Sequence, residues 1–128
     1  MVLPGWIDDK PAFFSGIDVF CLPSHHEPFG IVLIEAMAQA VPIVATDSEG
    51  PSEILRDSDG ILVPRADPER LAQALGRLVA DPDHAARLAE SAYRHAREDY
   101  AMSSVAARID AAVQRIVRTA SGPMEVMA

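Results

Sequence analysis

The sequence predicts an α/β fold with a parallel sheet, followed by C-terminal helices. Three short apolar runs rich in β-branched residues are typical of buried strands, at Asp18–Leu22, Ile43–Thr46 and Ile61–Pro64. A helical segment over residues 30–39 separates the first two runs. Beyond Arg65 the apolar residues recur only at helical spacing. Alternating strands and helices favour parallel pairing of the strands.

Proline and glycine set the other expected boundaries. Pro11 lies near the start of a short helix, and Gly16 is expected to end it. Pro42 cannot continue the helix over residues 30–39. The remaining elements are expected to be an extended segment at Val2–Pro4, a helix at Lys10–Ser15, a loop at Asp47–Ser52, a short helix at Glu53–Arg56, and helices at Pro68–Ala80, from Pro82 to about Asp99, and after Ser103 or Ser104. The apolar face of the last helix is formed by Val105, Ile109, Val113, Ile116 and Val117.

Length and charge limit the class of protein. The 128 residues fit one domain, which we expect over 1–118, with an α/β part at 1–66, a helical part at 67–118 and a flexible tail at 119–128. The net charge of −8, from 19 acidic and 11 basic residues, argues against nucleic acid as a partner, because phosphates need a basic face.

The compartment is expected to be the cytoplasm. The single cysteine, Cys21, lies in an apolar strand, which is typical of a reducing environment. The sequence has neither the pattern of a secretory signal nor an apolar run near the roughly 20 residues of a membrane-spanning helix. Peripheral attachment to a membrane is left open.

Two loops are expected to form a binding site. Ser24–Phe29 and Asp47–Ser52 follow predicted strands, and ligands of parallel sheets bind beyond the carboxyl ends of the strands. The first loop runs through Gly30 into a helix, an arrangement that points free amides and a positive dipole end at an anion. Glu27 and Glu35 lie on either side of this corner.

The segment Glu27-Pro-Phe-Gly-Ile-Val-Leu-Ile-Glu35 resembles the Glu-x7-Glu motif of retaining GT-B glycosyltransferases of group 1. The resemblance runs from about Leu3 to Ala80 and extends to four further segments in the same order. These are Ile17-Asp-Val-Phe-Cys-Leu-Pro-Ser24, Glu35-Ala-Met-Ala-Gln-Ala-Val-Pro-Ile-Val-Ala-Thr46, Gly50-Pro-Ser-Glu-Ile-Leu55 and Gly60-Ile-Leu-Val-Pro64.

The resemblance implies the fold and the reaction. It implies a Rossmann-like, C-terminal donor-binding GT-B domain that takes part in hexose transfer from a nucleotide-diphosphate sugar with retention of configuration. No metal or other cofactor is expected, and the acceptor is unknown. The alternative is a non-catalytic remnant that binds a nucleotide sugar or a partner protein. An unrelated Rossmann-like domain is a third interpretation, opposed by the five matched segments.

Each glutamate can be interpreted either as an ordinary surface residue or as a functional residue. Glu35 is either a helix-surface residue or, as the resemblance implies, the residue that binds the ribose hydroxyls. Its apolar neighbours favour the second, since a buried carboxylate needs donors. Glu27 is either a solvated loop acid or, by resemblance, the residue beside the transferred sugar. A catalytic role would follow from stabilising the oxocarbenium-like transition state.

Other residues are expected to act through their backbones or rings. By resemblance, Phe29, Gly30, Ile31 and Val32 offer backbone groups to the donor, because first-turn amides lack internal acceptors. Gly30 alternatively only permits the turn. The resemblance also puts Gly5 and Trp6 near the nucleobase, where Trp6 could stack, unless it packs in the core.

The histidines and three basic residues are expected to lie outside the site. His25 and His26 favour a solvated loop over a metal site, because adjacent ring nitrogens on an extended loop point apart. His84 and His95 lie on helices without matching partners. By resemblance, family members have basic residues in the donor site. Lys10, Arg56 and Arg65 do not lie at the matching positions.

Two positions depart from the family pattern. Glu49 replaces a glycine of the second loop, which puts a diphosphate contact there in doubt. Ala40 replaces the glycine that usually ends the helix, at a cost of about 1 kcal/mol if the position is left-handed.

The resemblance covers only part of a family enzyme. The matched segments include neither the acceptor domain of the family nor the first two strands of its donor domain. We therefore expect an incomplete sheet. Asp18–Leu22 would then be an open edge. We therefore expect a missing N-terminal domain or partner chain, or self-association through this edge.

Overall fold

The computed structural model describes the backbone of residues 2–120 and the side chains up to residue 118. Its elements in order are α1 (Lys10–Ser15), β1 (Phe20–Leu22), α2 (Ile31–Ala38), β2 (Ile43–Thr46), α3 (Glu49–Ile54), β3 (Ile61–Val63), α4 (Pro68–Ala80), α5 (Pro82–His95), a π-helical turn (Ala96–Tyr100) and α6 (Met102–Ala120). The tail expected at 119–128 lies outside the described residues from position 121 onward.

The strands form one parallel sheet in the order β1-β2-β3. Cys21 pairs with Val44, and Val44 pairs with Ile61 in turn. The predicted parallel sheet is confirmed, with β1 at an edge as expected. The segment expected to be extended at Val2–Pro4 has no regular structure, Val2 is 86% exposed, and among the described residues no strand pairs with it.

Alternation along β2 divides the core between the two faces of the sheet. Ile43 and Ala45 pack with α2 and α5 on one face, while Val44 packs with α4 on the other. All four residues of β2 are buried, because helices cover both faces of a parallel sheet. The central strand thus fixes where the loops at its carboxyl end emerge.

Two helix boundaries differ from those expected. The helix predicted at Glu53–Arg56 instead begins four residues earlier and is α3 (Glu49–Ile54), which replaces part of the loop expected at Asp47–Ser52, because Pro51 is tolerated in a first turn. The helix predicted from Pro82 to about Asp99 is α-helical to His95 and continues as the π-helical turn to Tyr100, and α6 begins at Met102 rather than after a serine cap.

The apolar face of α6 is largely uncovered. Ile109 is 59% exposed, Ile116 69% and Val117 54%. The helix is amphipathic as predicted, but these side chains remain open to solvent. Within residues 2–120, none of the helices combines the length and the apolar character needed to cross a membrane.

A buried polar network joins the turn before β3 to α5. Asp59 is fully buried and accepts hydrogen bonds from Ser91 Oγ at 2.8 Å and His95 Nδ1 at 2.6 Å. His95 Nε2 lies 3.1 Å from Asp99, which also binds Arg56. The expectation that His95 lacks a partner is wrong, because its partners lie up to 36 residues away in sequence.

The pKa of Asp59 reflects this network. Burial by itself raises the pKa, but hydrogen bonds from Ser91, from His95, from the Arg56 amide and from Ser58 outweigh it, so the pKa of Asp59 is lowered from its ordinary value. Its carboxylate therefore stabilises the fold when ionised.

Ala40 follows α2 in the left-handed conformation. Its φ is +53°, and its amide donates to the Met37 carbonyl at 3.0 Å. An L side chain is strained there, because its Cβ approaches the following carbonyl oxygen. Alanine at position 40 therefore costs about 1 kcal/mol of folding stability relative to glycine.

Ala40→Gly should stabilise the protein by about 1 kcal/mol, because glycine adopts this conformation without strain. Ala72→Gly, at an exposed position inside α4, is the matched control and should destabilise by about 1 kcal/mol. Urea denaturation measures both. Equal destabilisation by the two substitutions would contradict the assignment of strain to position 40.

Asp59→Asn should destabilise the fold by about 3 kcal/mol, because it breaks a buried charged network. Since the folded-state pKa of Asp59 is lowered, its contribution is present above the unfolded-state pKa and is lost as the pH falls through the folded-state value. Urea denaturation at about pH 6 and pH 3 should therefore show a smaller acid loss in Asp59→Asn than in the wild type. Asp110→Asn, exposed on α6, should keep the wild-type pH dependence; an identical acid loss in all three proteins would count against this account.

Candidate functional site

Loops from all three strands meet at the carboxyl end of the sheet. The β1–α2 loop (Ser24–Phe29) follows β1, the start of α3 follows β2, and Arg65 follows β3. Because the strands are parallel neighbours, these segments lie along one edge. The structure therefore brings together the two loops predicted to form a site, and adds Arg65 to them.

The β1–α2 loop is held by its own carbonyl groups. Thr46 Oγ1 donates to the Ser24 carbonyl, and the Gly50 amide donates to the Glu27 carbonyl at 2.8 Å. Gly50 also lies against the backbone of Phe29: a Cβ at position 50 would come within 2.1 Å of the Phe29 carbonyl oxygen. Only glycine allows this approach, so the loop and α3 are in direct backbone contact.

Gly30 begins α2 in the left-handed conformation, with φ of +88°. It is buried, and a Cβ there would meet Leu33 Cδ1 at 3.1 Å. Among the described residues no side chain caps α2 at this end. The first-turn amides of Ile31 and Val32 thus have no internal acceptor, and an anion or a hydroxyl can bind them. Phe29 and Ile31 are 53% and 62% exposed, so this corner faces solvent.

Glu35 is half-buried on α2 and already has a partner. Its side chain is 29% exposed, and Lys10 Nζ lies 2.5 Å from Oε1. Lys10, at the start of α1, reaches Glu35 from 25 residues away, so the carboxylate has a donor that the sequence analysis did not identify. The pair is open to solvent on the lysine side, where 57% of the side chain is exposed, so it can be displaced or shared.

Glu27 is half-buried at the other end of the same corner. Its Cγ would lie 3.5 Å from a Cβ at position 30, so Glu27 and Gly30 are immediate neighbours. The arrangement puts one carboxylate before the uncapped helix start and one a turn beyond it. Such a site can accept hydrogen bonds from hydroxyl groups on two sides while amides bind an anion between them.

A charged cluster lies beside this corner. Glu49 Oε1 is 3.4 Å from His26 Nδ1 and 3.8 Å from Arg65 Nη1, and Arg65 Nη1 also donates to the His25 carbonyl at 3.3 Å. The pKa of Glu49 is lowered, chiefly by a hydrogen bond from its own amide and further by His26 and Arg65, against some desolvation. Sequence reasoning missed this cluster because its members belong to three segments that are distant in sequence: the β1–α2 loop, the start of α3 and the end of β3.

The N-terminal candidates lie apart from the core. Gly5 is left-handed with φ of +75°, and Trp6 is 88% exposed, with its indole N–H donating to Asp8 at 2.7 Å. The alternative that Trp6 packs in the core is therefore wrong. Across residues 2–120, the His, Cys, Asp and Glu side chains form no group of three that could hold a metal ion.

Comparisons with known proteins identify the family. The sequence profile described as "Glycosyl transferases group 1" matches residues 1–95. The chain belongs to this family. A curated relative of this glycosyltransferase chain, the lipopolysaccharide core biosynthesis glycosyltransferase LpsE of Rhizobium meliloti (strain 1021), is 45% identical over 87 residues, which are 67% of this chain and 26% of LpsE. The chain thus spans about a quarter of that relative's length.

Solved structures have the same fold as this glycosyltransferase chain. Anabaena Alr3699/HepE in complex with UDP-glucose matches with a TM-score of 0.79 and 25% identity, over 87% of this chain and 31% of HepE. The C-terminal domain of LpcC, a group 1 family protein from Francisella tularensis, matches with a TM-score of 0.70 and 27% identity, over 77% of this chain and 52% of that one. The predicted α/β, Rossmann-like GT-B fold is confirmed.

Gly50→Ala should destabilise this glycosyltransferase chain by about 3 kcal/mol, because the new methyl group meets the Phe29 backbone rather than a flexible side chain. The amide NMR shifts of Glu27, Phe29 and Gly30 should move with it. Gly76→Ala is the matched control: nothing lies within 4 Å of a Cβ on that helical residue, and it should stabilise by about 1 kcal/mol. A neutral Gly50→Ala would show that the backbone contact is not required.

Proposed function

We propose that this chain supplies the donor-binding side of a hexosyltransferase that uses a nucleotide-diphosphate sugar with retention of configuration. The observation that carries the proposal is the corner where Glu27 and Glu35 flank the uncapped start of α2. A sugar nucleotide offers hydroxyl groups at both ends and a diphosphate between them. The corner offers carboxylates at both ends and free amides between them.

The two carboxylates take different parts of the donor. Glu35 accepts hydrogen bonds from the ribose hydroxyls, and Lys10 shares or leaves the carboxylate when they bind. Glu27 accepts hydrogen bonds from the hydroxyls of the transferred sugar. As the catalytic residue, it also stabilises the positive charge that develops at the anomeric carbon.

Backbone groups and one ring complete the donor site. The amides of Gly30, Ile31 and Val32, together with the Phe29 backbone, bind the diphosphate or sugar oxygens, and the exposed Trp6 beside Gly5 stacks on the nucleobase. Because amides provide this anion site, the proposal includes no metal ion. The solved structure of HepE with UDP-glucose supports UDP-glucose as the first donor to test.

Two exposed surfaces support a second candidate, a role in binding a partner. Within residues 2–120, no strand pairs with the outer edge of β1, and the apolar face of α6 is largely exposed. We propose that the acceptor side comes from another domain or another chain, and that this protein works in the cytoplasm. In the alternative, the chain binds a nucleotide sugar or a partner without turnover.

Glu35→Gln should weaken UDP and UDP-glucose alike, by about 10- to 100-fold, because charge-assisted hydrogen bonds to the shared ribose are lost. Glu27→Gln should weaken UDP-glucose by about tenfold and leave UDP nearly unchanged, since only the sugar contacts it. Calorimetric titration of the purified chain measures both.

Glu90→Gln, an exposed change on α5, is the control and should bind both ligands like the wild type. The proposal fails if the folded wild-type chain shows no saturable binding of UDP-glucose at millimolar concentration, or if the two site variants bind it as tightly as the control.

A further inference from the structure

We propose that Arg65 is a positioning residue that fixes the β1–α2 loop and so holds Glu27 toward the sugar of the donor. This inference rests on the proposed function for its ligand, but its geometric part does not. The resemblance to the family offers no role for Arg65, and its side chain nevertheless reaches the β1–α2 loop beside the candidate site.

Three successive anchors hold the carbonyl groups of this loop. Thr46 holds Ser24, Arg65 holds His25, and Gly50 holds Glu27. Thr46 and Gly50 are buried parts of β2 and α3, so two anchors belong to the core. Arg65 is the anchor that comes from the end of β3, and it acts through a side chain alone.

The outer part of the loop depends most on this anchor. His25 and His26 are exposed, with 77% of the His26 side chain open to solvent, so packing restrains them little. The guanidinium of Arg65 binds the loop at His25, two residues before Glu27. Releasing that carbonyl frees the backbone on one side of Glu27 while Gly50 still holds the other.

Arg65 is itself held in place from both directions. Its guanidinium lies 3.8 Å from Glu49, whose carboxylate is also bound by His26 at 3.4 Å. Along the chain, Ala66 follows Arg65 in the left-handed conformation, with φ of +57°. Asp67 then caps α4 by accepting a hydrogen bond from the Arg70 amide at 2.9 Å. This turn follows Arg65 directly and ends at the capped start of α4.

The chemistry favours arginine over lysine at this position. A guanidinium carries five N–H donors in a fixed plane, so it can donate to a carbonyl and pair with a carboxylate at the same time. The ammonium of lysine is a compact charge on a flexible stem, and it reproduces the charge but not the fixed geometry. Arg65→Lys should therefore restore only part of the effect.

The test begins with the protein free of ligand. Native-state hydrogen exchange of the amides of residues 25–27 should be about fivefold faster in Arg65→Gln than in the wild type, as expected when one exposed hydrogen bond that restrains the loop is lost. Arg65→Lys should fall between them. Arg87→Gln, an exposed change on α5, is the matched control and should leave the exchange unchanged. Unchanged exchange in Arg65→Gln would overturn the anchoring.

Calorimetric titration then separates positioning from general stability. Arg65→Gln should raise the Kd for UDP-glucose by about fivefold while the Kd for UDP stays within about twofold, because only the sugar meets Glu27. Glu49→Gln should raise the Kd for UDP-glucose by a smaller factor and should likewise leave the Kd for UDP nearly unchanged. Equal weakening of UDP and UDP-glucose, or none, would overturn the role in positioning. If the wild-type chain binds neither ligand, the proposed function and the positioning role both fail, and the exchange result alone decides whether Arg65 anchors the loop.

Discussion

The contact between Gly50 and the backbone of Phe29 is the constraint on which the rest of the site depends. It joins the segments that leave β1 and β2, because the Gly50 amide also donates to the Glu27 carbonyl at 2.8 Å. The β1–α2 loop then has one path into Gly30, whose left-handed conformation directs α2 away from the edge of the sheet. Gly50 and Gly30 therefore determine where Glu27 and Glu35 lie.

Charge at the corner is balanced locally in a strongly acidic chain. With a net charge of −8, the protein as a whole repels an anionic donor. Lys10 beside Glu35 and Arg65 beside Glu49 offset that repulsion at the edge where the donor is proposed to bind. Both bases lie far in sequence from the acids they contact.

Local patterns predicted the fold well, and contacts distant in sequence account for most of what they missed. The helix at Pro68–Ala80 and the strand at Ile43–Thr46 were predicted to the residue, since proline breaks and apolar spacing act locally. The Lys10–Glu35 pair, the Asp59–His95 contact and the Arg65–His25 contact could not be predicted, because each joins segments 25 to 40 residues apart. The segment Val2–Pro4 does not join the sheet, because an extended segment becomes a strand only when a neighbouring strand pairs with it.

The open edge of β1 has a geometric consequence for assembly. Two identical edges related by a two-fold axis normal to the sheet pair antiparallel, so two copies would make a six-stranded mixed sheet. The carboxyl ends of the two halves would then face opposite directions, and the two donor corners would lie at opposite rims. Such a dimer could not bring both corners to one ligand, whereas a parallel strand from a different segment would extend the rim that already carries Glu27.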